Sequence, residues 1–366
     1  GIFMVVMVEC ALITPPVGLN LYVIQSVAGA KLGEVAKGVL PFLALMVFTV
    51  MVMYFWSDLV CIFLSSFSEI LMNISNNATS FLRTLIASGE FLPMPCCFDA
   101  LSAKLIEQAG FNLTFMSGFA ASASRLGAPD LGLMSYGEVV DQARNIAEAI
   151  KIPMIADGDT GYGNAMNVKR TVSGLARAGC AGVLIEDQIA PKRCGHTPGK
   201  DVVSREEAFD RIQAAVDAKA DGSDILIMAR TDANHTHGIE EAINRAQVFH
   251  EIGADILFVE APKDINEMQL ICSEIPGCKM ANIVEGGLTP NLSMRELSDL
   301  GYQIAAYPLT LLSSSMRAMK STLELMKDDL PRDELLLDFA ELRKNIGFDE
   351  YYNCLLYTSP SPRDLS

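Results

Sequence analysis

The sequence predicts an α/β protein, a (β/α)8 barrel with carboxy-terminal helices over residues 78–353, preceded by an apolar, transmembrane-like stretch. Three observations carry this. Between Phe91 and Leu312, eight short apolar or β-branched runs alternate with helix-period segments, the pattern of βα units around a parallel sheet. Polar residues gather at the trailing end of each run, the rim on which barrel enzymes build their sites. No GxGxxG opens the first helix, which counts against the competing doubly wound open sheet.

In chain order, residues 1–64 come first. No side chain is charged from Gly38 to Ser57, a length that at about 1.5 Å per residue can span a membrane. ITPPVGLNLYVIQ, Ile13 to Gln25, sets Pro-Pro and Gly into apolar sequence. Such a break persists at membrane depth only where protein or a water-filled cavity surrounds it. The run is too long for a signal sequence and lacks a small-residue cleavage site. Lys31 and Lys37 would hold their loop on the cytoplasmic side and send everything beyond Asp58 outside, which suits a free-thiol enzyme poorly. SSFSEILMNISNN, residues 65–77, reads as a polar linker in which Met72 could begin an independent enzyme. The opening Gly1, already in apolar sequence, reads as something other than a natural amino terminus.

The eight runs follow: LPMPCCFDA, NLTFMSGF, IPMIADGDTG, CAGVLIEDQ, DILIMARTDA, ADILFVEAP, KMANIVEGG and YQIAAYPLT. Between them, SYGEVVDQARNIAEAI from Ser135 has a serine N-cap with glutamate three residues on, the capping-box spacing, and SREEAFDRIQAAVDAK from Ser204 repeats it. Gly110, Gly179 and Gly253 stand where helices close before the next strand, in positions suited to a left-handed residue. RDELLLDFAELRKNIGFD, residues 332–349, carries the apolar stripe of a packing helix. CLLYTSPSPRDLS, residues 354–366, has no period, reads as a disordered tail and resembles translated sequencing adapter.

The formal charge of −16 and the lack of a basic stripe exclude a nucleic-acid partner. Nine cysteines without CxxC pairing suit a reducing, cytoplasmic setting rather than a disulfide framework or zinc site.

Chemistry concentrates at the strand ends. In DGDTGYG, Asp157 and Asp159 stand two apart, so an extended backbone would aim both carboxylates at one face. Hard oxygens of this kind suit Mg²⁺, which takes one or two protein carboxylates and keeps several waters. Acidic turn residues are also common without a metal; Glu186 and Asp130 nearby strengthen the ligand reading. In PKRCGH, Lys192, Arg193 and His196 would favour thiolate character at Cys194, and Gly195 makes the loop mobile or closely packed. The other reading of Cys194 is a small buried hydrophobe. Arg230 emerges from an apolar strand, either as a bidentate clamp on a substrate carboxylate or as a rim salt bridge to Glu186 or Glu260. Ser117, Gly118, Asn282 and Glu285 are further rim groups, whereas His235 and His237 read as a solvated loop.

The ordered motifs SGF, GAPDLG, DGDTGYGN, IEDQ, PKRCGH, ARTDA, VEAP, ANIVEGG and AAYPL resemble the isocitrate lyase/phosphoenolpyruvate mutase superfamily over about residues 78–353. The resemblance implies a TIM barrel of the phosphoenolpyruvate mutase type and a homotetramer whose carboxy-terminal helices exchange between subunits. KRCGH resembles the lyases rather than the phosphonate mutases, hydrolases or oxaloacetate decarboxylases. ANIVEGGLTP and Phe115 resemble the dimethylmalate and alkylmalate lyases more than the 2-methylisocitrate lyases. The implied partner is a small 2-hydroxy di- or tricarboxylic acid, with Mg²⁺, or Mn²⁺ as a substitute, as cofactor. Asp157 is then the direct ligand, with Asp159, Glu186 and Asp130 holding its waters. Ser117, Gly118, Phe119, Arg193, Gly195, Arg230, Glu260 and Asn282 would contact substrate, and Cys194, Lys192 and His196 would be catalytic, Cys194 as general acid. Residues 1–64 resemble the carboxy-terminal end of the large membrane subunit of tripartite dicarboxylate transporters, the one route by which a membrane would enter.

Overall fold

The computed structural model describes residues 78–193 and 199–355, which belong to one compact unit spanning 75–366. The apolar segment 1–64, the linker 65–77 and most of the tail lie outside the described residues. Among those described, no helix is long and apolar enough to cross a membrane. The helix Phe348–Leu355 takes in the first two residues of the tail expected to be disordered.

Eight parallel strands close in sequence order, and the doubly wound alternative falls: β1 Leu92–Cys97, β2 Thr114–Met116, β3 Met154–Asp157, β4 Gly182–Glu186, β5 Leu226–Thr231, β6 Ile256–Val259, β7 Cys278–Asn282 and β8 Ile304–Tyr307. β1 pairs with β8, Leu92 opposite Ile304, which leaves no free edge. Side chains alternate across each strand. Ile155, Leu184, Met228, Phe258, Met280 and Ala306 belong to the apolar cluster inside the barrel. Val183, Ile185, Ile227, Ala229 and Leu257 belong to the layer between barrel and helices. A helix over 78–87 packs Leu82, fully buried, against the inner cluster, with Ala78, Leu85 and Ile86 beside it. Full burial of such a leucine contributes roughly 1.5–3 kcal/mol.

The helix starts follow their local chemistry. Ser135 and Glu138 close the expected capping box ahead of Tyr136–Ala147. Ser204 accepts from the Glu207 amide at 3.2 Å, but Glu207 turns its carboxylate to Arg211 at 2.6 Å, so this second box stays half made. Gly110, Gly179 and Gly253 have φ of 86°, 94° and 114°, as the left-handed closing position requires.

Candidate active site

Strand alternation delivers the site. Two residues beyond Phe115, Ile155, Leu184, Met228, Phe258 and Met280, the next inward positions are Ser117, Asp157, Glu186, Arg230, Glu260 and Asn282. The inner face is apolar through the barrel and turns polar at its carboxy-terminal rim. There a cavity enclosing about 570 Å³ of empty space, mouth included, is lined by Ser117, Gly118, Phe119, Asp130, Asp157, Lys192, Arg193, Arg230, Glu260 and Asn282. Its apolar wall is Phe115, Leu184, Phe258, Met280, Val284 and Ala306. The convergence of these polar groups beside an apolar wall is what a small-molecule site requires.

Asp157 and Asp159 converge for a different reason from the one the spacing implies. Asp159 has φ of 50° and is not extended. The chain turns after Asp157, whose Oδ1 accepts from the Asp159 amide at 3.0 Å. Gly158 allows the turn because a Cβ there would press on the Leu184 carbonyl and the Val183 and Ile185 side chains. Both carboxylates reach the Lys192 ammonium, Asp157 at 3.4 Å and Asp159 more closely, and Asp130 joins at 3.1 Å. Burial opposes the charge on Lys192, but Asp157, Asp159, Asp130 and Glu186 together raise its pKa well above the usual lysine value. The Asp159 carboxyl moves upward because burial, with Asp157 and Asp130 beside it, outweighs Lys192.

Glu186 and Asp159 do not line the cavity and meet it through Arg230 and Lys192. Glu186 is fully buried, opposite Arg230 in the β4–β5 register. Arg230 Nη1 lies 3.2 Å from Glu186 Oε2, yet neither Glu186 oxygen makes a hydrogen bond among the described residues. Burial lifts this carboxyl well above the ordinary range in spite of Arg230 and Lys192.

Sequence left two roles open for Arg230, and the ion pairs are made. Its bidentate bond goes to Asp232, Nε to Oδ2 at 2.8 Å and Nη2 to Oδ1 at 3.0 Å. Nη2 also lies 3.2 Å from Glu260. Asn282 Nδ2 donates to Glu260 at 3.3 Å.

Ser117 accepts from the Ala120 amide at 3.3 Å and caps the helix Gly118–Leu126. The amides of Gly118 and Phe119 thus open a helix at the cavity wall, where backbone donors and the helix dipole favour an anion. Cys194, Gly195 and His196 lie outside the described residues. His235 and His237 are exposed, as expected.

Sequence reasoning missed the ionic layer behind the site. Lys200 donates to Asp232 at 2.7 Å with both side chains fully buried. Asp187 accepts from Thr231 at 2.6 Å, from the Asp232 amide at 2.9 Å and from Arg245 at 3.0 Å. The two-residue spacing of Arg230 and Asp232 was the available signal; an isolated loop lysine such as Lys200 offers none.

Among the described residues, no three His, Cys, Asp or Glu side chains form a ready metal cage. The donor set nonetheless fits a hard divalent ion. Three carboxylates already surround one cation, the Lys192 ammonium, and Glu186 adds two buried oxygens without hydrogen bonds. Mg²⁺ needs few direct carboxylates and fills its shell with water.

Residues 82–327 match the phosphoenolpyruvate phosphomutase family. The chain belongs to it. Within this phosphoenolpyruvate mutase/isocitrate lyase superfamily, it is similar to the 2,3-dimethylmalate lyase of Eubacterium barkeri, 45% identical over 75% of this chain and 96% of that one. It is also similar to the petal death protein of Dianthus caryophyllus, 39% identical over 76% and 89%, and to the 2-methylisocitrate lyase of Aeropyrum pernix, 38% identical over 74% and 87%. Among solved structures, an oxaloacetate acetylhydrolase with 3,3-difluorooxalacetate aligns at TM-score 0.73 and 34% identity, covering 76% of this chain and 96% of that one. A 2,3-dimethylmalate lyase aligns at 0.72 and 35%, covering 76% and 94%. A phosphonopyruvate hydrolase in complex with oxalate and Mg²⁺ aligns at 0.69 and 28%, covering 77% and 99%. The chain is an enzyme, a carbon–carbon lyase of the oxo-acid class. Residues 1–59 match the DctM component of tripartite ATP-independent periplasmic transporters.

Proposed function

We propose that the chain cleaves a 2-alkyl- or 2,3-dialkylmalate, with 2,3-dimethylmalate as the type substrate, to a 2-oxo acid, pyruvate where the 2-substituent is methyl, and a carboxylic acid. Mg²⁺ is the cofactor, with Mn²⁺ as a substitute. The observation that carries this reading is the division of the cavity. Its floor and one wall are apolar, with Phe115, Leu184, Phe258 and Met280 offering contact to alkyl groups. Its polar side has three cations, Lys192, Arg193 and Arg230, against three carboxylates, Asp130, Asp157 and Glu260. That balance leaves no excess positive charge among the described lining residues for a dianion, which argues for a divalent cation as the third party. A tricarboxylate such as 2-methylisocitrate would ask for yet another cation, and Phe115 has no hydroxyl to offer it. The named relatives support both substrates, which makes 2-methylisocitrate the second reading.

When bound, Mg²⁺ would be held by Asp157, with Asp159, Asp130 and Glu186 around its waters, and would supply charge stabilisation to the 2-oxygen and neighbouring carboxylate. The chain's own groups do the rest. The Gly118 and Phe119 amides with the Ser117 hydroxyl hold the C1 carboxylate, and Arg230, Glu260 and Asn282 complete the pocket. As a general base takes the proton of the 2-hydroxyl, the C2=O double bond forms, the C2–C3 bond breaks and its electron pair stays on C3. Cys194 gives C3 a proton as general acid. Lys192, Arg193 and His196 offset the negative charge, and Gly195 lets the backbone come close. From 2,3-dimethylmalate the products are pyruvate and propionate.

This reading includes a cytoplasmic enzyme domain, supported by free thiols at Cys96, Cys97, Cys180, Cys272 and Cys278. It also includes a homotetramer with exchanged carboxy-terminal helices. Exposed Met316, Met319, Leu323 and Met326 on the helix Thr310–Lys327 support a covered face there. A membrane would enter only through residues 1–64, a transporter-derived segment distinct from the linker 65–77 and the enzyme.

The test is product release by the full chain with Mg²⁺ from 2,3-dimethylmalate, 2-methylisocitrate, isocitrate and oxaloacetate. The highest kcat/KM is expected on 2,3-dimethylmalate. Preference for 2-methylisocitrate would overturn the substrate, and turnover of oxaloacetate alone would overturn the role of Cys194.

A further inference from the structure

We propose that Gln188 is a positioning residue whose carboxamide fixes the backbone of Arg193 and so sets the Lys192–Arg193 edge of the cavity. The inference rests on that cavity being where the acid is cleaved. Beyond β4 the chain leaves the barrel and pairs antiparallel with a later segment. The Val203 amide donates to the Asp187 carbonyl and the Ile189 amide to the Asp201 carbonyl, each at 2.9 Å, with Gln188 opposite Val202. These bonds hold residues 187–189 against 201–203.

The Gln188 side chain then reaches along the segment that follows it, as far as Arg193. Its Nε2 donates to the Arg193 carbonyl at 2.9 Å, and its Oε1 accepts from the Arg193 amide at 2.9 Å. One carboxamide has the donor and acceptor of a peptide group side by side, so this pair imitates a rung of sheet where the backbone has none. Gln188 is itself held: it is 1% exposed, and its carbonyl accepts from Arg211 Nη1 at 2.8 Å. It does not line the cavity, whereas Lys192 and Arg193 do. Gln188 therefore acts through them and not on the substrate. Glutamate keeps the acceptor and loses the donor, and methionine keeps the length and loses both.

The experiment compares the full-length protein with Gln188→Met and Gln188→Glu by amide exchange over the segment 189–193, by thermal unfolding, and by kcat/KM on 2,3-dimethylmalate. In Gln188→Met, exchange at Arg193 is expected to rise at least tenfold with the barrel helices unchanged. In both variants kcat/KM is expected to fall at least tenfold while Tm holds within a few degrees. Parental turnover in either variant overturns the proposal, whatever the exchange does. Uniformly faster exchange with a large drop in Tm overturns it too, in favour of a general core role. If the parent cleaves none of the four acids, the functional reading has failed on its own. Affinity for oxalate with Mg²⁺ then replaces turnover, and an unchanged affinity in Gln188→Met overturns the positioning role.

Discussion

Replacing Gly118 by alanine should disable the site while leaving the barrel folded. A Cβ on Gly118 would project onto Asp157 Oδ2, with the carboxylate carbon 3.1 Å away and Lys192 Nζ 3.2 Å away. Ordinary contact begins near 3.4 Å. The oxygen lies far inside that limit, so the carboxylate must withdraw by roughly 1 Å, a displacement that costs about 10²-fold in rate when it falls on a group that holds reactants. Stability moves little. Gly118 opens the helix Gly118–Leu126 outside the left-handed region, where alanine gains up to about 0.5–1 kcal/mol over glycine and the strain at Asp157 offsets it. The assay pairs urea unfolding with kcat/KM for pyruvate release and a calorimetric Mg²⁺ titration. The expected result is a loss of about 100-fold in kcat/KM, weaker Mg²⁺ binding and a stability change within about 1 kcal/mol. Turnover within threefold of the parent would refute the reasoning. A loss of more than about 3 kcal/mol would show that the backbone, not the carboxylate, absorbs the clash.

Three further outcomes follow from the same geometry. Cys194→Ser should keep Mg²⁺ and substrate affinity but lose about 10²–10⁴-fold in kcat, because a serine hydroxyl is a far weaker acid than a thiol; unchanged turnover removes Cys194 from the mechanism. Arg230→Met takes the guanidinium from Asp232, Glu186 and Glu260 at once, and urea unfolding should show a loss of about 3–5 kcal/mol, with less than about 1 kcal/mol contradicting the ionic reading. Glu241, hydrogen-bonded to Arg205 and Arg245, has its carboxyl lowered to about 2, first by the Arg205 bond. A depressed acid stabilises the fold above its unfolded value near 4.3 and loses that contribution as pH falls through the folded value. The stability gap between parent and Glu241→Gln, on the order of 1 kcal/mol because Arg205 is largely exposed, should therefore hold from pH 8 to about pH 5 and close by about pH 2. A gap constant down to pH 2 would contradict it.

The barrel was legible because every strand is an apolar run, and the six from β2 to β7 announce themselves again by the polar residue two places past the last inward side chain. Ser135 and Glu138 were legible for a similarly local reason. What stayed hidden depends on which long side chain wins a shared partner. Glu207 could close the box with Ser204, yet the buried guanidinium of Arg211 takes it. Asp159 follows the alternation rule on paper, but the glycine before it lets the chain turn, and the left-handed residue brings its carboxylate round to Lys192. Arg230 could not be assigned from sequence because, beyond its near neighbour Asp232, its partners Glu186 and Glu260 stand at the ends of two other strands, and only closure of the barrel brings them to the guanidinium.

That convergence on Arg230 also bears on how such an enzyme can diversify. Loss of Arg230 leaves Glu186 and Glu260 without their paired guanidinium, so these positions constrain one another. Phe115, Leu184, Met280 and Ala306 carry no such debt. Each can be exchanged for a larger or smaller apolar residue with a modest repacking cost, reshaping the room for alkyl groups while the charged layer beneath stays fixed. The chain thus separates a mutually dependent electrostatic layer from a lining of independent apolar positions, and new acids can be accommodated one wall residue at a time.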